Sequence, residues 1–354
     1  MTKSSNQFDS VPDAIAAIAA GEMVIVVDDD DRENEGDLIM AASKATGEAA
    51  AFMIRHTSGI LCTPVTQEIA TRLQLNLMVA NNEAPMGTAF TVTIDYKHGL
   101  STGISADERA TTAQALTNSN VKAEDFLRPG HMFPLIAHNG GVLIRGGHTE
   151  AAVDLATLAG LEPVGLLSEL VNDDGSVQRL PGLIQFARAH SLKIISIADL
   201  VEYRQANEDL MIRTKKIDIE TKIGTACAHL FKTKYEGSEF VALVFGDVTG
   251  LDKVSVCVHK DKLIEDMFNT SSEGDSLAAH FQKLKQTECG VLIYQRSENL
   301  AEALGEEVES SREAVRRQRW LREGVTKQIL AHLNIDRYSL EIHTPDQQET
   351  TDLF

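Results

Sequence analysis

Short apolar runs alternate with longer amphipathic segments along the first part of the chain. The apolar runs at residues 23–27, 38–42 and 164–170 are rich in β-branched and aliphatic side chains, which predicts buried strands. The amphipathic segments carry helix start signals, for example Ser10 two residues ahead of a proline. Strands that alternate with helices are typical of helices layered on a sheet. We therefore predict an α/β (α+β) fold, with an N-terminal three-layer α/β/α sandwich built on a mixed sheet.

The same pattern gives more local predictions in the glycine-rich segments. Alternation predicts a strand at residues 90–96 and two short strands at residues 132–137 and 141–145. The Pro-Gly pair before His131 predicts a turn. Thr149 is predicted to cap the helix that follows it.

The composition changes near residues 203–209, beyond which glycine-rich loops become rarer and Lys, Glu and Gln become denser. We therefore predict two domains, residues 1–205 and residues 206–354, the second a smaller α+β domain. It includes a charged helical stretch at residues 303–324, where acidic and basic residues stand three or four positions apart. This spacing favours an exposed, salt-bridged helix over a nucleic-acid surface.

Charge and cysteine usage limit the partners and the compartment. The 354 residues have a net charge of −19, whereas nucleic acids and anionic membranes are bound by basic surfaces. The four cysteines are far apart and form no CxxC pair, which is typical of a reducing compartment. The N-terminus shows no apolar signal region, and no run approaches the roughly 18 apolar residues of a membrane helix. We expect a cytoplasmic protein with neither nucleic acid nor membrane as partner.

An acidic stretch, DDDDRENEGD at residues 28–37, stands between two predicted strands. Seven of its ten side chains are acidic, and like charges at this density repel one another unless a cation or proton transfer offsets the cost. A solvated acidic turn is the simpler interpretation. Its position at a strand end instead favours a metal or catalytic site that includes Arg32, Glu33, Glu35 and Asp37.

A second cluster is the RGGHT sequence at residues 145–149. Its glycines allow the backbone to approach a ligand closely, and the helix that starts here directs free N–H groups at the same point. Arg145 adds a guanidinium suited to a phosphate, and His148 is placed to ligate a metal beside that anion. An ordinary strand-to-helix turn is the alternative interpretation.

Two further residues carry reactive groups. His131 follows the predicted Pro-Gly turn, although a lone histidine is more often structural. Alternation places Glu169 on the strand face of Leu167, amid apolar neighbours that suit a general acid/base, whereas a water-facing glutamate on an edge strand is the alternative. These two clusters and two residues together predict a divalent-cation site made of one carboxylate and one imidazole, beside a phosphate pocket. They indicate a metal-assisted enzyme that catalyses enolisation of a small phosphorylated polyol or elimination from it.

Seven segments occur in a characteristic order: DRENEGDLI, RHTSGILC, FTVTID, STGISADER, RPGHMFPL, RGGHTEAAVDL and ELVNDDG. On these segments, residues 10–203 resemble 3,4-dihydroxy-2-butanone 4-phosphate synthase of riboflavin biosynthesis. The resemblance implies a lyase that converts D-ribulose 5-phosphate into 3,4-dihydroxy-2-butanone 4-phosphate and formate. It also implies Mg²⁺ or Mn²⁺ as cofactor, and a homodimer of α/β/α protomers that share active sites.

The resemblance also implies roles for single residues. The implied metal ligands are Glu33 and His148, and the implied catalytic residues are His131, Glu169, Glu33 and Asp37. Substrate contacts are implied for Arg32, Glu33, Asp37, Arg145, Gly146, Gly147, His148, Thr149 and Glu169. The acids at residues 28–31 and Cys62 receive no role.

The second half resembles GTP cyclohydrolase II at FVALVFGDVTG and VSVCVH. That family binds zinc through three cysteines beyond this point, but the aligned positions here are Lys262, Glu273 and Asp275. A lysine cannot act as a thiolate, and two carboxylates alone make a poor tetrahedral zinc site. The YQRSENL segment also departs from the family's glycine-arginine loop. We predict a folded domain that holds no zinc and has no cyclohydrolase activity.

Two other interpretations stay open. The chain could be a bifunctional enzyme that retains GTP cyclohydrolase II activity with unconventional ligands. It could also be a non-catalytic regulator that binds pathway intermediates. The complete acidic stretch and RGGHT turn argue against the regulator, because an idle site would be expected to lose costly buried charges.

Overall fold

The computed structural model describes residues 7–249, 251, 253–268, 276–287, 289–297 and 312–341. The chain divides into two compact units, Met1–Arg204 and Gln205–Phe354. Each unit has one mixed sheet. Across the described ranges, no helix is both long enough and apolar enough to cross a membrane.

The first unit is built from seven strands and seven helices in the described residues. The strands are β1 (Val24–Val27), β2 (Gly36–Ala41), β3 (Cys62–Val65), β4 (Ile94–Tyr96), β5 (Phe126–Ile136), β6 (Gly165–Glu169) and β7 (Lys193–Ser196). The helices are α1 (Val11–Ala20), α2 (Gly47–His56), α3 (Gln67–Arg72), α4 (Ala106–Thr117), α5 (His148–Leu158), α6 (Leu180–Ala189) and α7 (Ile197–Asn207).

The seven strands form one sheet in the order β4-β5-β3-β6-β2-β1-β7. The pairs β1–β7 and β3–β5 are parallel, and the other pairs are antiparallel. Every residue of β1 and β2 is buried, because both faces of the sheet are covered. Alternate residues of these strands enter opposite cores: one core contains residues of α2, α3, α4 and α6, the other residues of α1, α5 and α7. The predicted three-layer sandwich with a mixed sheet is confirmed.

Local sequence signals start several helices as predicted. The Ser10 hydroxyl accepts the N–H of Asp13 at 3.2 Å, and the Ser105 hydroxyl accepts the N–H of Glu108 at 3.2 Å. Each bond satisfies one of the N–H groups that a helix start leaves without a partner. Gly21 ends α1 with a positive φ of 89°, a conformation that glycine adopts without strain.

The strand predicted at residues 132–137 matches the end of β5 (Phe126–Ile136), but the other local predictions in the glycine-rich segments were wrong. Residues 128–131 form no turn but lie inside the long strand β5. Residues 141–145 are not a strand, because Gly140 and Gly141 take positive φ values of 97° and 64° and begin a 3₁₀ turn. The strand predicted at residues 90–96 is reduced to β4, with only isolated bridges before it.

The start of α5 was also predicted wrongly. The helix begins at His148, with Gly147 as the N-cap residue. Thr149 therefore lies in the first turn and is not the cap. This shift places His148 on the helix itself, where the rigid helix fixes its position.

The second unit has six strands in the order β13-β11-β12-β10-β9-β8. They are β8 (Met211–Thr221), β9 (Gly224–Thr233), β10 (Glu239–Phe245), β11 (Val254–Lys260), β12 (Gly290–Gln295) and β13 (Tyr338–Glu341). The described helices are α8 (Leu263–Phe268), α9 (Leu277–Thr287), α10 (Arg312–Arg319) and α11 (Val325–His332). Apolar residues of α11 enter one core of this unit and those of α9 enter the other. Residues 303–311 of the predicted charged helix, Glu273, Asp275 and the end of YQRSENL lie outside the described residues.

Candidate active site

The acidic stretch connects β1 to β2, and the carboxylate of Asp28 organises it. One oxygen of Asp28 accepts the N–H of Glu35 at 2.9 Å, and the other accepts the N–H of Glu33 at 2.9 Å. The second oxygen also accepts a hydrogen bond from the guanidinium of Arg32 at 3.0 Å. Asp28 therefore shapes the loop that presents Glu33, which the sequence alone did not establish.

His148 faces this loop from the first turn of α5. Its side chain is buried, and its Nε2 lies 3.1 Å from the carbonyl oxygen of Val26 in β1. A carbonyl only accepts, so Nε2 carries the proton and Nδ1 keeps its lone pair. Burial lowers the pKa of His148 below its ordinary value. The ring is therefore neutral and can act as a metal ligand through Nδ1.

Three side chains here are close enough to share one cation. One ligand atom from each of Asp28, Glu33 and His148 lies within 4.8 Å of the other two. Both oxygens of Asp28 already accept N–H groups, and one oxygen of Glu33 pairs with Arg32. The other oxygen of Glu33 and Nδ1 of His148 are therefore best suited to ligation. One carboxylate oxygen and one imidazole leave most positions on a hard cation for water and substrate oxygens.

Asp37 supplies an independent sign that the site takes a ligand. Its carboxylate is buried at the start of β2, and within the described residues its Oδ1 atom has no hydrogen-bond partner. That oxygen lies 3.9 Å from Nδ1 of His148. A buried acceptor without a partner is rare in a folded protein, and a cation or a substrate hydroxyl at this point would satisfy it.

The carboxylates around the site repel one another. Asp37 stands opposite Glu169 in the pairing of β2 with β6. Burial raises the pKa of Asp37 well above its ordinary value, and the charges of Glu169 and Glu35 raise it further. Burial also raises the pKa of Glu35 to about 7, with added repulsion from Glu33 and Glu169. Near neutral pH Glu35 can therefore hold or release a proton.

These shifts predict how stability depends on pH when divalent cations are removed. The carboxyl of Glu35 has a folded-state pKa of about 7 against an ordinary value of 4.5. Its protonated form therefore adds stability that is present below pH 4.5 and is lost as the pH rises through about 7. In EDTA, the melting temperature should fall across this window. Thermal melts with excess Mg²⁺ should show a smaller fall, and equal slopes would contradict the prediction.

Glu169 lies at the end of β6 on the same face as Leu167, as alternation predicted. Its Oε2 accepts a hydrogen bond from the hydroxyl of Ser58 at 2.7 Å. The residue is partly exposed, so it is neither fully enclosed nor a freely solvated edge residue. The ends of β1, β2 and β6 thus bring together Arg32, Glu33, Asp37, His148 and Glu169.

The guanidinium of Arg145 is already engaged. It donates to Oε2 of Glu150 at 2.6 Å, to the carbonyl oxygen of Met86 at 3.0 Å and to the hydroxyl of Thr88 at 3.2 Å. Gly147 packs against this group, and a Cβ atom at Gly147 would stand only 2.3 Å from a guanidinium nitrogen. Arg145 is thus held in one position, and a larger residue at position 147 would displace its guanidinium.

Glu150 is a residue that the sequence reasoning missed. It is completely buried in the first turn of α5, and its other oxygen accepts the N–H of His138 at 3.0 Å. It therefore fixes both Arg145 and the chain that leads into the RGGHT turn. An acidic residue in the first turn of a helix is a recognisable signal, but the turn that folds Arg145 and His138 back onto Glu150 was not predicted.

His131 lies apart from the other predicted residues. It belongs to β5, which is separated from β2 by β3 and β6. At about 4.8 Å per strand, His131 is roughly 14 Å to the side of Asp37. Its ring Nδ1 instead lies 2.7 Å from the carboxylate of Asp95. Within one chain, the structure does not bring His131 to the Glu33–His148 pair.

The chain matches the profiles of two known families. The family profile of 3,4-dihydroxy-2-butanone 4-phosphate synthase matches residues 12–203, more than half of the chain. The chain belongs to this synthase family. A second profile, that of GTP cyclohydrolase II, matches residues 212–351. Both parts of the resemblance drawn from the sequence are confirmed.

Curated relatives of this chain carry riboflavin biosynthesis in their names. The monofunctional RIBA 2 of Arabidopsis thaliana, a chloroplastic protein, is 49% identical over 84% of this chain. The bifunctional, chloroplastic RIBA 1 of the same plant is 48% identical over 82% of the chain. The chain spans 63% and 54% of the length of these two relatives. RibBA of Nocardia farcinica is 47% identical over 82% of the chain and 71% of its own length.

Solved structures agree with the fold. RibBX of A. baumannii, described as a two-domain 3,4-dihydroxy-2-butanone 4-phosphate synthase, has a TM-score of 0.75 and 35% identity, and the match covers 95% of this chain and 94% of RibBX. A synthase solved in complex with two magnesium ions has a TM-score of 0.55 and 43% identity over 56% of this chain and 98% of its own.

Proposed function

We propose that this chain catalyses the Mg²⁺-dependent conversion of D-ribulose 5-phosphate into 3,4-dihydroxy-2-butanone 4-phosphate and formate, a lyase step of riboflavin biosynthesis. Mn²⁺ would substitute for Mg²⁺. The observation that carries the proposal is the convergence of Glu33 and His148 beside the buried Oδ1 of Asp37 that lacks a partner in the described residues. Family membership supports it, and a related synthase has been solved with two magnesium ions.

The chain's own groups have separate tasks in this reaction. Glu33 and Nδ1 of His148 would hold the cation, which supplies polarisation of the sugar carbonyl. Asp37 and Glu169 face each other across β2 and β6, so they can take a proton from one carbon or oxygen and return it to a neighbour. Glu35, whose pKa is raised to about 7, can carry a proton near neutral pH, and burial raises the pKa of Asp37 well above its ordinary value.

The phosphate end of the substrate has a different receptor. The first turn of α5 has N–H groups directed away from the helix, and they favour an anion. Arg145 lies beside that turn and is aimed by Glu150. We assign phosphate binding to residues 145–149, with Arg32 and Asp37 on the sugar hydroxyls.

Formate release tests the proposal directly. The purified full-length chain with D-ribulose 5-phosphate and Mg²⁺ should release one formate per substrate consumed. EDTA should abolish the release, and added Mg²⁺ or Mn²⁺ should restore it. No formate at any metal concentration would overturn the proposed function.

We also propose a homodimer in which each active site uses both chains. His131 is roughly 14 Å to the side of Asp37 in one chain, so a second chain is the simplest source of that imidazole. The first unit exposes large apolar side chains that a second chain would cover: Ile60, Leu77, Met78, Val79, Met86, Ile104 and Leu127.

Mixed dimers give the test. His131→Ala and His148→Ala should each be inactive alone. Mixing them under subunit exchange should restore roughly a quarter of wild-type activity per chain, because half of the random dimers carry one intact site of two. Sites built within single chains would show no recovery.

For the second unit, we propose that it holds no zinc and does not act on GTP. Lys262 stands where the zinc-binding family has a cysteine, and its N–H donates to Asp266 at 3.2 Å. Asp266 also pairs with the buried His259 at 2.9 Å. Within the described ranges, the group of side chains able to hold a metal lies in the first unit.

Elemental analysis and a GTP assay distinguish this proposal from a bifunctional enzyme. The full chain purified without chelator should contain less than about 0.1 zinc per chain and should not consume GTP. Stoichiometric zinc together with GTP turnover would establish the bifunctional alternative.

The cytoplasmic location of this chain is a prediction from the sequence alone. The two plant relatives are chloroplastic.

A further inference from the structure

The backbone of Glu33 is held from two sides. Its N–H donates to an oxygen of Asp28 at 2.9 Å, from the β1 end of the acidic stretch. Its carbonyl oxygen accepts a hydrogen bond from Nη1 of Arg179 at 2.8 Å, across 146 positions of the chain. Both backbone polar groups of this candidate metal ligand therefore have a fixed partner.

The same nitrogen of Arg179 reaches a second carbonyl, at the bend of the acidic stretch. Asn34 has a positive φ of 55°, a conformation that asparagine adopts more readily than most other residues. Nη1 of Arg179 donates to the carbonyl oxygen of Asn34 as well as to that of Glu33. Because hydrogen bonds from a charged donor are stronger than neutral ones, these two contacts hold the bend in one conformation.

Arg179 is itself anchored, because it is the N-cap residue of α6. The residue before it, Gln178, donates its N–H to the carbonyl oxygen of Leu170 at 3.0 Å, one residue beyond β6. In the first turn of α6, Leu183 is buried, and a Cβ atom at Gly36 would stand only 2.6 Å from its side chain. The start of α6 is thus fixed against the end of β6 and the first residue of β2.

The contacts of Arg179 are to the backbone of the stretch and not to its carboxylates. Both of its side-chain hydrogen bonds go to carbonyl oxygens, whereas the carboxylate of Glu33 pairs with Arg32 and lies near His148. A guanidinium has donors only and cannot ligate a cation. Any effect of Arg179 on the cation site therefore acts through the position of Glu33.

We propose that Arg179 is a positioning residue of the cation site, which holds the carbonyls of Glu33 and Asn34 so that the carboxylate of Glu33 stays near His148 before a cation binds. The inference rests on the proposed function, because that function supplies the cation. Arg179 touches neither the cation nor the substrate.

The direction of the change in cation affinity tests the proposal. Arg179→Met keeps an unbranched side chain but removes both hydrogen bonds and one positive charge. By charge alone, this loss would strengthen the binding of a nearby cation. If Arg179 positions Glu33, the Mn²⁺ affinity of the full chain, titrated by electron paramagnetic resonance, should instead fall by roughly 10 to 100-fold, the usual effect of losing a residue that supports a ligand.

The same helix supplies a matched control. Arg188 lies near the other end of α6, where it donates to the carboxylate of Asp9 at 2.8 Å and to the carbonyl oxygen of Gln7 at 3.1 Å. Arg188→Met removes the same charge and a similar number of hydrogen bonds without contact to the acidic stretch. Its Mn²⁺ affinity should stay within about twofold of the wild type, because exposed ion pairs contribute little.

Activity gives a second readout. In Arg179→Met, the Mg²⁺ concentration for half-maximal formate release should rise in parallel with the loss of Mn²⁺ affinity. The KM for the sugar phosphate at saturating Mg²⁺ should change by less than about threefold. Direct binding of the substrate phosphate by Arg179 predicts the reverse, a raised KM with unchanged Mn²⁺ affinity, and that result would overturn the inference.

Arg179→Lys measures rescue by a conservative change. Its ammonium can still donate to a carbonyl but lacks the planar fork of a guanidinium, so its Mn²⁺ affinity should lie between those of the wild type and Arg179→Met. Thermal melts in EDTA check folding, and the exposed position of Arg179 predicts melts close to the wild type. If Arg179→Met does not fold, Arg179→Lys carries the test, and wild-type Mn²⁺ affinity there overturns the inference.

The remaining outcomes are separable. Unchanged or higher Mn²⁺ affinity in Arg179→Met overturns the inference, as does an equal loss in Arg188→Met. A wild-type chain that binds Mn²⁺ but releases no formate overturns the proposed function alone, because Mn²⁺ titration needs no turnover. A wild-type chain that does not bind Mn²⁺ overturns both.

Discussion

Replacing Glu33 with glutamine should lower Mg²⁺-dependent formate release by on the order of 10³-fold. The amide removes the negative charge that lies near His148, while the Asp28 hydrogen bonds that shape the loop use the backbone of Glu33 and stay intact. The loss should appear in kcat as well as in the Mg²⁺ concentration that gives half-maximal activity. Mn²⁺ binding, followed by electron paramagnetic resonance, should weaken in parallel.

The control is Asp31→Asn, which removes one charge from the same acidic stretch at an exposed position. If Glu33 acts through ligation, Asp31→Asn keeps nearly full activity and Mn²⁺ affinity. Equal losses in both variants would mean that the total negative charge matters, and the assignment of Glu33 as ligand would fail.

The second large effect concerns stability. Glu150→Ala removes a completely buried carboxylate and leaves the Arg145 guanidinium and the His138 N–H without that acceptor. Loss of one partner of a buried ion pair is strongly destabilising, and the partial exposure of Arg145 reduces the penalty. The free energy of unfolding of the first unit should fall by about 3 kcal/mol. KM for the sugar phosphate should rise because Arg145 loses its fixed position.

Glu150→Gln is the matched variant. Its amide oxygen can still accept the His138 N–H, but it carries no charge for Arg145. Calorimetric melting should therefore place it between the wild type and Glu150→Ala. A Glu150→Ala chain that melts like the wild type would show that the ion pair does not stabilise this turn.

The sequence predicted what depends on neighbours along the chain. Apolar runs identified β1, β2 and β6, and Ser10 and Ser105 identified helix starts. The predictions failed where glycine geometry overrode strand propensity, as at Gly140 and Gly141.

For the site, residue types and spacing indicated Glu33, Asp37, His148 and Glu169, and the structure brings these four together. Asp95 was missed because its partner His131 becomes a neighbour only through tertiary packing. Glu150 was missed because the turn that folds Arg145, five residues earlier, back onto it was not predicted. The alternation of FTVTID was a usable signal for Asp95, since it puts Thr93 and Asp95 on one strand face. For Glu150, an acid in the first helical turn was the corresponding signal.

The position of β1 constrains when this site can form during synthesis. β1 lies between β2 and β7, and β7 (Lys193–Ser196) is the last strand of the first unit to leave the ribosome. Until then one edge of β1 has no partner strand, although β1 supplies the Val26 carbonyl that orients His148. A nascent chain that stops short of β7 would therefore carry both metal ligands while β1, which aligns His148, is paired on one edge only. Strands that are far apart along the chain pair slowly. Tight cation binding should therefore appear only once β7 has joined the sheet.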